Sequence, residues 1–143
     1  MLRGSLIHPQ ILEALGRAGH SSKVLIADGN YPASTKRPPG AALVSLNLSP
    51  GVVDCVQALA AVASAIPIEA AAVMRPERSG PYAMEEDPEI WEEFRTVLGG
   101  VDLEPLERFA FYEAASSDDV ALVIATGEQR IYANLLLTIG VVT

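Results

Sequence analysis

The sequence has one cysteine, two histidines and no cluster of basic residues, and each shortage removes a class of function. The lone Cys55 cannot form an internal disulfide, and it lies among Val52, Val53, Val56 and Leu59, where a buried, inert thiol is expected. Two histidines, His8 and His20, with one cysteine do not suggest a zinc site, so no metal is expected. Ten basic against eighteen acidic residues leave a formal charge of −8 with no lysine- and arginine-rich face, which argues against nucleic acid and anionic lipid as partners. The longest strongly apolar stretch, Cys55 to Ile68, is too short for a membrane span and holds Pro67 near its end. Met1 to Ile7 does not read as a signal peptide, so a cytoplasmic protein is expected. Glycine-rich phosphate loops are also missing, since Gly99 and Gly100 follow a helical pattern instead of opening one after a strand. No G-x-S-x-G nucleophile elbow occurs either.

What is present suffices for one buried core. Half of the 143 residues are hydrophobic, and a single domain over residues 1–143 is expected. Ile11, Leu12 and Leu15 recur at helical spacing over Gln10 to Ala18, and Gly19 ends that pattern. Lys23 to Ala27 (KVLIA) and Val120 to Ala125 are continuous apolar runs between polar turns, the pattern of strands buried on both faces. Ala42 to Asn47 and Ile68 to Met74 are further strand candidates. Helices are predicted over Gly51 to Ala65 with Ser49 as N-cap, over Pro88 to Leu98 and over Glu104 to Ala115, with a closing strand over Ile131 to Leu137. Strands alternating with helices predict a three-layer α/β/α domain with a mostly parallel sheet.

In such sheets ligands gather where strands end and loops leave. Three polar clusters fit that rule: His20 with Asp28, Asn30 and Tyr31; Arg108 with Phe111 and Tyr112; and Tyr132 with Asn134. Each also has a plainer reading. His20 follows a glycine and could cap the first helix, and Asp28 could be an Asx-turn residue. Arg108 could pair with Glu104 on a solvated helix face, and Tyr132 and Asn134 could alternate along a half-exposed strand.

The segment GHSSKVLIADGNYPAS (Gly19 to Ser34) resembles the G-H-G-x-x-[IV]-x-[IVL]-x-D-x-[HN]-F-P pattern of ribose pyranases and fucose mutarotases. ERFAFYEAA (Glu107 to Ala115) resembles the R-F-A-F-Y-E segment of the fucose branch. ATGEQRIYANLLLTIGVV (Ala125 to Val142) is similar to the family's closing T-G-E-x-x-x-Y-[GA]-N-[IL]-[IL]-L-x-x-G-V. The resemblance implies that His20 is catalytic, that Asp28 and Arg108 contact a sugar, and that Tyr132 and Asn134 complete the sugar site; chemically, the Tyr132 hydroxyl could also assist catalysis as a donor to a sugar oxygen. It also implies pentameric or decameric rings with sites at subunit boundaries, a monosaccharide of the fucose or ribose class as substrate, and no cofactor. Departures are Ser21 and Ser22 after the histidine, Tyr31 in place of Phe, and Ala133, which matches the ribose branch. Lys36 to Gly40 and Arg75 to Asp87 match no pattern of the family.

These residue types suit ring opening and closure. Mutarotation takes a proton from the anomeric hydroxyl and gives one to the ring oxygen, work for a side chain that ordinarily titrates near neutrality, as histidine does. General acid/base help of this kind is worth ~10²- to 10⁴-fold. A carboxylate, a guanidinium fork and a side-chain amide match a ring of hydroxyls. A non-catalytic monosaccharide-binding or sugar-transport accessory protein would use the same Asp28, Arg108 and Asn134 without needing His20. A structural ring protein would use the clusters for assembly alone.

Overall fold

In a computed structural model covering residues 1–143, six strands form one sheet in the order β2-β5-β1-β6-β3-β4. The strands are β1 (Lys23–Ala27), β2 (Ala42–Ser45), β3 (Ile68–Met74), β4 (Leu103–Leu106), β5 (Val120–Ala125) and β6 (Leu135–Ile139). The helices are α1 (Pro9–Arg17), α2 (Cys55–Ala63), α3 (Ile90–Leu98) and α4 (Arg108–Ala115). β6 runs antiparallel to both its neighbours, β1 and β3, while the other pairings are parallel, so five strands point one way. This is the mostly parallel sheet that the alternating pattern predicts.

The continuous apolar runs explain why β1, β5 and β6 lie at the centre: both faces of each must be covered. One face, carrying Val24, Ile26, Leu122, Ile124, Leu135 and Leu137, packs against Ile11 and Leu15 of α1, Leu59 and Val62 of α2, and Trp91 and Phe94 of α3. The opposite face, with Leu25, Val123 and Leu136, packs against Phe111 and Ala115 of α4. Helices on both faces make the three layers.

Three predicted boundaries are corrected. The second helix begins at Cys55, not Gly51, and its N-cap is Asp54, not Ser49. Residues 49–53 turn instead against Gly127, whose N–H donates to the Val53 carbonyl (2.7 Å) and whose carbonyl accepts from Gly51 (2.6 Å). A Cβ at Gly127 would lie 2.5 Å from the Ser49 carbonyl oxygen, so only glycine permits this approach. Asp54 and Gln57 then form a reciprocal capping box, with Gln57 N–H donating to Asp54 Oδ1 at 2.7 Å. The helix predicted from Glu104 is split: Leu103–Leu106 is edge strand β4, paired with β3, and α4 starts at Arg108 under the Glu107 cap. Pro105 holds the preceding residue out of helical backbone, and a proline is tolerated in an edge strand such as β4. The closing strand starts at Leu135, not Ile131, because Ile131 and Tyr132 form a turn in which Tyr132 has φ +57°.

Candidate active site

The common strand direction places one end of the sheet in charge of the polar residues. Asp28 directly follows β1, Met74 ends β3, Arg108 follows β4 after one residue, and Asn134 precedes the antiparallel β6, so all four reach the same edge. There they line a pocket of about 330 Å³ together with Asn30, Tyr31, Tyr82, Tyr112, Ile131 and Tyr132.

The floor is a reciprocal pair. Asp28 N–H donates to Asn134 Oδ1 (2.9 Å), and Asn134 Nδ2 donates back to Asp28 Oδ2 (3.0 Å). Ala133 N–H also donates to Oδ2 (3.3 Å), and Asn30 N–H donates to Oδ1 (3.0 Å). The Asx turn at Asp28 is therefore real, and it coexists with the site. Both residues are buried, at 4% and 5% exposure. Burial lifts the Asp28 carboxyl above its usual value, by more than the N–H groups of Asn30 and Ala133 pull it down. One acceptor direction of Oδ1 and one N–H of Asn134 remain to face a ligand.

Arg108 stands at the rim. Its guanidinium pairs with Glu77 (3.0 Å), not with Glu104, because Glu104 belongs to β4. It also lies 5.9 Å above the Tyr112 ring. Glu77 comes from the 75–87 loop, which sequence reasoning left outside the site. Tyr132 ties down the same loop: its hydroxyl donates to the Tyr82 carbonyl (3.1 Å) and accepts from Glu77 N–H (3.3 Å). No periodicity in residues 75–87 signals this. The departure at Tyr31 also has a use, since its hydroxyl donates to the Lys36 carbonyl (2.9 Å) and anchors the 31–40 loop.

The T-G-E portion of the closing motif braces the floor from behind. Thr126 Oγ1 donates to the Ala27 carbonyl at the end of β1 (2.8 Å). Buried Glu128 takes a two-pronged contact from Arg130, with Nε at 2.9 Å and the terminal nitrogen at 2.8 Å, and accepts from Cys55 N–H at the start of α2. Burial raises the Glu128 carboxyl, but the Arg130 contacts outweigh it and hold the group below its usual value. Burial pushes the Cys55 thiol up to about 12, so it stays neutral as expected of an inert core cysteine.

His20 is not in the pocket. It precedes β1, whereas Asp28 follows it, and five extended residues at about 3.3 Å each separate the two by roughly 16 Å or more. Its Nε2 lies 3.1 Å from Glu69 Oε2 near the start of β3, at the edge opposite the pocket. It does not cap α1, whose last turn is closed by Ala18 N–H. The imidazole is 54% exposed. Within one chain, then, Asp28, Arg108, Tyr132 and Asn134 converge, and His20 faces away.

No helix is long and apolar enough to cross a membrane. A family model, described as the RbsD / FucU transport protein family, matches residues 1–142. Human fucose mutarotase is 33% identical over 146 residues, covering 96% of this chain and 90% of the human protein. Among solved structures, fucose mutarotase from Streptococcus pneumoniae in complex with L-fucose superposes with a TM-score of 0.80 at 26% identity, over 96% of this chain and 95% of that one. RbsD from Bacillus subtilis complexed with D-ribose has a TM-score of 0.81 at 24% identity, covering both chains fully, and attests the shared fold.

Proposed function

The chain belongs to the RbsD / FucU family, and we propose that it is a monosaccharide mutarotase, an isomerase that opens and recloses the ring of a fucose- or ribose-class sugar. The observation that carries this reading is the convergence of Asp28, Asn134, Arg108 and Tyr132 on one pocket of monosaccharide size, about 330 Å³. The relatives named fucose mutarotase support the reaction class.

Asp28 and Asn134 offer one acceptor and one donor to neighbouring hydroxyls from a buried, mutually hydrogen-bonded floor. Arg108 keeps free N–H groups beside the one given to Glu77. Tyr132 can assist as a donor to a sugar oxygen by exchanging the Tyr82 carbonyl for it, one hydrogen bond for another. The remaining need is a group that moves protons, and His20 is assigned that role from a neighbouring copy. A pentameric or decameric ring with pockets at its boundaries would bring the half-exposed imidazole of one subunit to the pocket of the next. With Nε2–H directed to Glu69, Nδ1 is left to take the anomeric proton and return it to the ring oxygen on opening. The chemistry uses no cofactor, the chain acts as one domain, and its working place is the cytoplasm.

Exchange NMR between sugar anomers tests the reading. Added protein should raise the exchange rate above that of buffer, and His20→Gln should lose most of the gain at saturating sugar. A protein that binds sugar yet leaves exchange at the buffer rate is a binding or transport-accessory protein instead.

A further inference from the structure

The 75–87 loop has no regular structure, yet it is held in place. Arg78 donates to the carbonyls of Met84 (2.8 Å) and Glu85 (2.7 Å), and Met84 N–H donates to the Glu77 carbonyl (3.0 Å), so the loop is stapled to itself. Tyr132 and Arg108 then pin it to the pocket through the Tyr82 carbonyl and the two ends of Glu77. The result is that Tyr82 lines the pocket with 64% of its surface exposed and its carbonyl held by Tyr132.

An exposed aromatic on a tethered backbone is a ready contact surface, because less ordering entropy is lost when a ligand covers it. The ligand has a matching side. A monosaccharide that turns hydroxyls toward the Asp28 and Asn134 floor leaves a C–H face for the remaining lining, which includes Tyr82 and Ile131.

We propose that Tyr82 is a substrate-binding and specificity-determining residue: its ring packs on the C–H face of the bound sugar and favours a 6-deoxyhexose, with its additional methyl group, over a pentose. This rests on the mutarotase reading for the identity of the ligand as a sugar. The loop contacts of Glu77 and Tyr132 position the ring.

The test measures affinities of L-fucose and D-ribose by ligand-observed NMR titration, and KM and the saturating rate by exchange NMR, for the parent, Tyr82→Ala and Tyr82→Phe. Tyr82→Ala should weaken L-fucose about tenfold and D-ribose about threefold, since each buried apolar carbon is worth about fourfold and the methyl adds one. The loss should fall mainly on KM, and Tyr82→Phe should restore it. Unchanged affinities, equal losses for both sugars, or a Phe variant as weak as the Ala variant would each overturn the proposal. Absence of exchange in the parent would overturn the catalytic reading alone, because the affinities still report on Tyr82.

Discussion

The separation of His20 from Asp28 has a consequence that mixed oligomers can measure. If each site takes Asp28 from one subunit and His20 from its neighbour, two subunit types that fail alone can repair each other. His20→Gln lacks the proton-transfer group and should be inactive in pure form. Asp28→Asn keeps His20 but replaces a charge-assisted bond with a neutral one about half as strong, lowering kcat/KM about tenfold. In a ring co-expressed at equal levels, about one quarter of sites combine an intact Asp28 pocket with an intact neighbouring His20, by random placement around a cyclic interface. In another quarter, an intact His20 faces a pocket that carries the Asp28→Asn change, with about a tenth of the activity. The mixed ring should therefore reach roughly a quarter of the parental kcat/KM, against about one twentieth for the same two proteins purified separately and combined without subunit exchange. Doubly tagged oligomers, isolated on both tags and assayed by anomer-exchange NMR, give the comparison. Activity no higher than the level of the unexchanged mixture would mean that His20 does not act across a boundary, and the roughly 16 Å span of β1 would then leave it no route to the pocket at all.

Two further predictions concern stability, and their pH dependences have opposite signs. The folded state holds the Asp28 carboxyl above its unfolded value, so it binds that proton more tightly; stability from this group falls as pH rises from the unfolded value through the folded one. Asp28→Asn should lack that step, but because both carboxylate oxygens accept N–H groups and an amide can accept at only one of the two positions, it should be less stable than the parent by about 1–3 kcal/mol at pH 7 in chemical denaturation, while binding sugar about tenfold more weakly. An Asp28→Asn variant as stable as the parent would show that the carboxylate does not support the fold. Glu128 is held below its usual value, so its contribution is present above the unfolded value and disappears as pH falls through the folded one. Glu128→Gln should cost about 1–3 kcal/mol at pH 7, the range for a charged hydrogen bond lost at a buried acceptor, and the gap should narrow as pH falls below the usual carboxylate range. A gap that does not narrow at all as the carboxylates titrate would place the loss in packing instead of charge.

IEAAAVM keeps its bounds between Pro67 and Arg75 although its first half is largely exposed. KVLIA and VALVIA keep theirs because they are almost continuously buried and flanked by polar residues on both sides. β4 was hidden for the opposite reason. Leu103–Leu106 is an edge strand with two exposed residues, and its last residue, Leu106, also fits a helical spacing with Phe109 and Ala110. Pro105 was the available signal. The pocket floor was legible because Asp28 and Asn134 each flank a strand, whereas Tyr82 and Glu77 enter through contacts with Tyr132, 50 and 55 positions away. The position of His20 could have been read from the sequence itself, since a five-residue strand between it and Asp28 already puts them at opposite edges.

The Tyr132-Ala133-Asn134 triplet shows why a family motif can be compact while the site it serves is wide. Tyr132 sits at φ +57°, a conformation that costs a side-chain-bearing residue about 1–2 kcal/mol and must be compensated by its contacts. The backbone reversal turns its carbonyl to the Trp91 indole N–H (3.4 Å) in the α3 layer, while its hydroxyl reaches the 75–87 loop at the rim. One residue later the Ala133 N–H meets Asp28, and the next residue is the floor amide. A regular strand over the same three residues, as the alternating pattern suggested, would send Tyr132 and Asn134 out side by side on one face. The left-handed turn instead separates them, one to the rim and one to the floor, with the sugar-sized space between. Rim and floor are thus joined through two peptide units, which lets three consecutive residues serve both.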